Sequence, residues 1–292
     1  MAFSETDVRY VSADAPVQSF HDTLAVEEPL EIRVGFCDRG KRTHKAISIT
    51  MRTPGYDAEL AVGFLFTEGI IQSPEQISRV RHCGLKIGDR LDTIEGPGSL
   101  NSNTIRVDLN DGVEIDFDRF KRHFYTSSSC GVCGKSSIEA LHTGAKKIPD
   151  ESYPKIESAV IHRLPDVLRA SQSVFDQTGG LHASALFNTD GELETVREDV
   201  GRHNALDKVI GARFLGGETT LSDKVLLVSG RASFELVQKA LMAGLPILAA
   251  VGAPSSLAVE LASEFGMTLA GFVRDGRFNI YCGAERIKGG DL

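Results

Sequence analysis

Two cysteines three positions apart, in Cys130-Gly131-Val132-Cys133, are the residues whose type and spacing most plainly allow covalent chemistry. A thiol pair at this spacing can hold zinc, cycle through a disulfide, or carry a group on one thiolate. Structural zinc needs four ligands, and the remaining cysteines, Cys37, Cys83 and Cys282, are isolated singles, so no metal site is expected. A deaminase zinc site is disfavoured as well, because no histidine is followed two places later by glutamate. A thioredoxin-like pair opens a helix after the first strand of its domain, whereas this one follows Ser127-Ser128-Ser129. A purely structural role is weakened because exposed thiols are a liability.

The setting favours a nucleophile. Gly131 and Gly134 let a partner approach closely, and Lys135 with an expected helix over Ser136 to His142 would favour thiolate. Cys130 could then accept a sulfane sulfur from a donor persulfide, and Cys133 could later attack it or tune it. Between Phe120 and Ser137 the small polar residues read as an exposed loop.

A second chemistry is suggested by the last third of the chain. It reads as strand Lys224 to Val228, helix Ser233 to Ala243, strand Pro246 to Val251, helix Ser255 to Phe265 and strand Met267 to Val273. This β-α-β-α-β order builds a parallel sheet. The turns Ser229 to Ser233, Gly252 to Ser256 and Arg274-Asp275-Gly276-Arg277 all follow strands, where helix N-termini offer free N–H groups to anions. With Arg231, Arg274 and Arg277 there, a phosphate-rich ligand is expected.

Upstream, short strands are expected at Glu31 to Phe36, Ala46 to Thr50 and Thr104 to Leu109. The last is expected to pair with Val113 to Phe117 across Asn110-Asp111-Gly112. A helix is expected over Asp57 to Thr67. Leu181 to Asn188 and Leu193 to Val196 read as strands before a helix at Asn204 to Ile210, and the polar stretch between the cysteine loop and Leu181 reads as loops. The fold class is thus α/β, in two domains: a small α+β part over 1–125 and a second over 126–292 carrying the cysteine loop and the strand ends. Among single residues, His182 and His203 are read as hydrogen-bonded structural histidines ahead of cofactor contacts or proton shuttles. Asp199 and Asp207 are expected to cap or pair with Arg202 and Lys208 on a solvated helix, and Cys37, Cys83 and Cys282 to be small buried residues.

The chain's 292 residues and 41% apolar content suffice for packed cores, and 32 basic against 40 acidic side chains leave a net charge of −8. That balance argues against a nucleic-acid partner. The polar, acidic stretch Met1 to Phe20 has no apolar core of a signal peptide, and no run approaches a membrane span, so a cytoplasmic protein without membrane contact is expected.

Ser128-Ser-Cys-Gly-Val-Cys-Gly-Lys135, Thr178-Gly-Gly-Leu-His-Ala183 and Arg197-Glu-Asp-Val-Gly-Arg-His-Asn-Ala-Leu-Asp-Lys-Val-Ile-Gly211 resemble the formate dehydrogenase accessory sulfurtransferase family, FdhD. The likeness continues through Ser229 to Glu235 and Ala253 to Ala258 to Gly271-Phe-Val-Arg-Asp-Gly-Arg-Phe-Asn-Ile-Tyr281. It implies a sulfurtransferase that takes sulfur from a cysteine desulfurase as a persulfide and passes it to the molybdenum bis(molybdopterin guanine dinucleotide) cofactor before insertion into formate dehydrogenase. It further implies a homodimer whose second domain is cytidine-deaminase-like, with a mixed, largely parallel sheet. The family's persulfide cysteine corresponds to Cys130, beside Cys133. Its cofactor-binding stretch corresponds to Phe272, Val273, Arg274, Asp275, Gly276 and Arg277, which Arg231 and His203 would flank. A guanine nucleotide would occupy the same site. The other function class to be weighed is a molybdenum cofactor chaperone without sulfur chemistry.

Overall fold

The computed structural model describes residues 2–83, 103–115, 145, 147–149 and 153–289. The chain opens with β1 (Phe3–Tyr10) and β2 (Gln18–Ala25), an antiparallel hairpin that precedes the expected strands. A four-stranded sheet follows. Its β3 (Glu28–Asp38) and β4 (Lys41–Arg52) flank α1 (Asp57–Thr67) in sequence, and β5 (Ile77–His82) and β6 (Thr104–Leu109) complete the order β4-β3-β6-β5. Strand alternation sends Leu30, Ile32, Val34, Ile105 and Val107 into the core, where none is more than 1% exposed. Val113 to Ile115 form no strand, because both sides of β6 are already hydrogen-bonded, parallel to β3 and antiparallel to β5. The expected Asn-Asp-Gly hairpin is therefore corrected to a turn, and its last two residues lie outside those described.

The stretch expected to be loops before Leu181 also holds β7 (Ile156–Glu157), α2 (Ser158–Ala170) and α3 (Ser173–Thr178). Beyond them β8 (His182–Phe187) and β9 (Leu193–Asp199) lead into α4 (Arg202–Leu215). Then β10 (Val225–Val228), α5 (Phe234–Met242), β11 (Ile247–Ala250), α6 (Ser256–Glu264) and β12 (Thr268–Arg274) alternate as the sequence suggested. A further strand, β13 (Arg277–Cys282), turns back beside β12, and β14 (Ile287–Lys288) pairs with β7. The main sheet runs β13-β12-β11-β10-β8-β9, mixed, with its three central strands parallel. One apolar cluster joins α4, α5 and α6 to one face of this sheet, and a second joins α2 to the other. Among the described residues no helix is long and apolar enough to cross a membrane.

The two sheets are joined through helices α1 and α4, which touch backbone to backbone. A Cβ on Gly63 would strike the Asp207 carbonyl, and one on Gly211 the Glu59 carbonyl, so only glycine permits this approach. Phe66 and Phe214 stack 4.7 Å apart across the same contact, worth about 1 kcal/mol beyond the area they bury. The first apolar cluster consequently runs unbroken from Leu30 of the small sheet to Leu269 of the large one. The expected domain boundary at 125/126 lies outside the described residues.

Polar groups are buried at this junction. Asp199 and Lys208 are 0% and 1% exposed and pair at 2.7 Å, while Asp207 pairs with Lys239 at 3.0 Å, both also buried. The expectation of solvated helix charges is thus corrected: α4 is enclosed between α1 and the large sheet, so its charges are neutralised internally. Cys37, Cys83 and Cys282 are partly exposed rather than buried.

Candidate strand-end site

Strands β9, β10, β11 and β12 of the large sheet all end at one edge, and the first three are each followed by a helix that starts there. Strand β9 delivers Gly201 to the start of α4, β10 delivers Ser233 to α5, and β11 delivers Ser255 to α6. The Ser255 hydroxyl accepts from Ala258 N at 3.3 Å and caps its helix. Three N-termini therefore present positive dipole ends along one edge.

The loops between them are bound to one another through their backbones. Gly252 N donates to Gly230 O at 3.0 Å, Ser255 N to Ala232 O at 3.0 Å, and Phe272 N to Gly252 O at 3.0 Å. Contact this close requires missing side chains. A Cβ on Gly252 would lie 3.0 Å from Gly230 O and 3.1 Å from the Arg231 Cα, and one on Gly271 2.8 Å from Pro254 Cδ and 2.9 Å from Tyr281 Cε2. The result is a cradle floored by bare backbone, the kind of surface a dinucleotide's phosphates can approach closely.

Its outer wall is the β12–β13 hairpin. The Arg274-Asp275-Gly276-Arg277 stretch, expected to be a loop closing the last strand, is a two-residue hairpin turn. Asp275 and Gly276 both have positive φ, 54° and 69°, and Arg274 pairs with Arg277 across them. The two arginines are cross-strand neighbours at the tip, both exposed. Phe272, at φ 55°, occupies the left-handed region where a bulge interrupts the β12–β13 register. A bulky residue held there costs of order 1–3 kcal/mol, and such outliers cluster at ligand clamps. The Arg274 guanidinium lies 5.7 Å from the Phe272 ring centroid.

At the opposite end of the edge stand His182, Arg202, His203 and Glu235. His203 Nε2 lies 2.8 Å from a Glu235 carboxylate oxygen and 3.3 Å from Ser233 Oγ. Its hydrogen bond holds the Glu235 carboxyl below the ordinary range. Burial, with the Arg202 guanidinium and His203 nearby, pushes His182 below 6.5, so its imidazole is neutral at neutral pH. Arg202 Nε is buried and meets no acceptor among the described residues. That orphaned donor, the three helix starts and the arginines of the hairpin fit a ligand bearing several phosphates.

The junction behind the cradle is rigidly built. Asp199 accepts from Thr53 N at 3.2 Å, Gly201 N at 2.8 Å, Asn204 Nδ2 at 3.1 Å and Lys208 Nζ at 2.7 Å. Lys208 Nζ donates also to Thr53 O at 2.9 Å, and Asn204 Nδ2 to Met51 O at 2.7 Å. The segment carrying Arg202 and His203 is thereby tied to the β4–α1 corner of the small sheet.

This arrangement, glycine-floored loops at the carboxyl edge of a mixed sheet tied by an Asp-Lys pair to a small sheet, coincides with a match to the sequence pattern of the FdhD/NarQ family over residues 25–288. The chain belongs to the FdhD/NarQ family. Relatives of this FdhD/NarQ protein named sulfur carrier protein FdhD include one from Streptomyces coelicolor, 50% identical over 275 residues (94% of this chain, 92% of the relative). Another, from Mycobacterium tuberculosis, is 48% identical over 280 residues, 96% of each chain. The fold is also that of a crystal structure assigned as a formate dehydrogenase accessory protein from Desulfotalea psychrophila. The TM-score is 0.70 at 24% identity, covering 99% of this chain and 100% of that one. The family match begins at Ala25, so β1 and nearly all of β2 precede it.

Of the residues singled out from the sequence, Phe272 to Arg277, Arg231 and His203 fall along this one edge. Cys130 and Cys133, with the expected helix over 136–142, lie outside the described residues. Sequence reasoning missed Glu235, the bulge at Phe272 and β13. An Asp-Gly pair followed by the alternating Phe278, Ile280 and Cys282 was the available signal for that strand.

Proposed function

We propose that this FdhD/NarQ protein is a sulfur carrier serving formate dehydrogenase, with Cys130 as the carrying thiol and the strand-end cradle as the seat of its cofactor substrate. The observation that carries this reading is the name sulfur carrier protein on relatives half identical over nine-tenths of the chain. In the first step the Cys130 thiolate attacks the outer sulfur of a cysteine desulfurase persulfide. The new S–S bond forms on Cys130 as the donor's S–S bond breaks, and the donor cysteine leaves as thiolate, with no net oxidation. The substrate of the second step is a molybdenum bis(molybdopterin guanine dinucleotide) cofactor. Its phosphates would lie on the N-termini of α4, α5 and α6, with Arg231, Arg202, Arg274 and Arg277 supplying charge-assisted hydrogen bonds. Phe272 would offer a ring face for a guanine, and Glu235, positioned by His203, an acceptor for base or ribose donors. A cytoplasmic homodimer is part of the same reading.

A cofactor chaperone without sulfur chemistry makes the opposite mutational forecast. In a strain lacking its own family member, Cys130→Ala should abolish formate dehydrogenase activity while leaving GDP binding to the isolated protein intact. Arg274→Gln with Arg277→Gln should weaken GDP binding roughly 10- to 100-fold. Full activity with Cys130→Ala would establish the chaperone instead.

A further inference from the structure

The small sheet has an open face that the strand-end site does not use. With Leu30, Ile32, Val34, Ile105 and Val107 turned into the core, the alternate residues Arg33, Gly35, Arg106, Asp108 and Arg81 face outward. Register sets arginine beside arginine: Arg33 pairs with Arg106, and Arg106 with Arg81, across three adjacent strands. Like charges directly opposite one another destabilise a sheet. One carboxylate mediates between two of them. Asp108 lies 2.9 Å from Arg106 Nε and 3.1 Å from Arg81 Nη2, and it fits only because β3 has Gly35 at the facing position, where any Cβ would strike its carboxylate. Beside this carboxylate lies a recess of about 290 Å³, walled by Arg42, Arg79, Arg81, Arg106, His44 and Asp108, with Ser78 and Thr43.

The charge balance in this recess is opposite to that of the molecule. Four arginines and one aspartate line it, in a chain of net charge −8, and Arg42 reaches in addition Asp111 at 2.9 Å and Leu109 O at 2.6 Å. Among the described residues Arg81 Nε, buried, has no hydrogen-bond partner, and Arg106 Nε, though close to Asp108, has none in line. Two buried, unspent N–H donors beside two further guanidiniums and two hydroxyls match the tetrahedral oxygens of phosphate better than a planar carboxylate. The recess is at the small end of ligand sites and is lined by polar and charged residues, which favours a compact anion as occupant. We propose that the arginine-walled recess on the open face of the β4-β3-β6-β5 sheet is a second anion site, taking a compact phosphate-bearing ligand of the diphosphate class.

Pyrophosphate titrated calorimetrically into the full chain at physiological ionic strength tests this. The expected result is saturable binding of one pyrophosphate per chain, about 10- to 100-fold weaker when Arg42→Gln and Arg79→Gln are combined. Both side chains sit on exposed positions, so the variant should melt as the parent does. The single Arg42→Gln variant, expected to lose about tenfold, carries the same test if the double variant misfolds. Affinity should persist when Arg274→Gln and Arg277→Gln are combined, which separates this recess from the strand-end cradle. Pyrophosphate binding no tighter than sulfate, or lost with the Arg274 and Arg277 changes and kept with those at Arg42 and Arg79, overturns the proposal. So does an oligoglutamate peptide that outcompetes pyrophosphate.

Discussion

Replacing Lys208 by methionine probes the coupling of the two sheets behind the site. Asp199 is fully buried and accepts four hydrogen bonds, and the substitution removes the one that also cancels its charge. Breaking a buried ion pair from one side typically costs about 3–5 kcal/mol. The donors left on Asp199, from Thr53, Gly201 and Asn204, place this case at the lower end. Lys208→Met also strips Thr53 O of its 2.9 Å partner, which adds about 1 kcal/mol. A loss of about 4 kcal/mol follows, close to three decades in the folding equilibrium. Urea unfolding followed by circular dichroism should show it as a lower midpoint. Asp199→Asn combined with Lys208→Met should recover much of the loss, since the uncompensated charge is gone. A single substitution costing under about 1 kcal/mol, or a double variant worse than both singles added, would falsify the idea that this pair holds the junction.

Two further outcomes follow from the site. Gly271→Ala should weaken GDP binding and destabilise the fold by about 1–3 kcal/mol, because its Cβ would press Pro254 from 2.8 Å and Tyr281 from 2.9 Å; calorimetry and thermal melting measure both. His182 is held below its unfolded pKa of 6.5 by burial, by Arg202 and by His203, with Asp199 opposing. Acidification therefore protonates the unfolded chain first, so stability is intact above 6.5 and declines as pH falls below it. His182→Gln should flatten that acid-side decline in melting temperature; an unchanged slope would show that other groups cause it.

The parallel β-α-β-α-β third was legible because its strands are short continuous apolar runs, Val225 to Val228 and Ile247 to Ala250, buried on both faces and bounded by small polar turns. Helix α1 was legible to the residue from Gly69 just past its end and its apolar content. The β1–β2 hairpin was not, since it is exposed on both faces and its strands need no alternation. Helix α2 carries Val160, Ile161, Leu164 and Leu168 at helical spacing, yet Pro165 in its interior hides the pattern. The Asn110-Asp111-Gly112 and Asp275-Gly276 turns show why local signals mislead: only the second has a free strand edge beside it. The burial of Asp199 with Lys208 depends on the β4–α1 corner around Thr53, a segment far away in sequence, which spacing alone does not bring together.

The sulfur-carrier account is tested most directly by intact-mass measurement of the full chain after incubation with a cysteine desulfurase and cysteine. The account predicts one added sulfur atom, mapped to Cys130, removed by a reducing thiol and absent in Cys130→Ala. A chain that gains no sulfur, or gains it equally in Cys130→Ala, would contradict it.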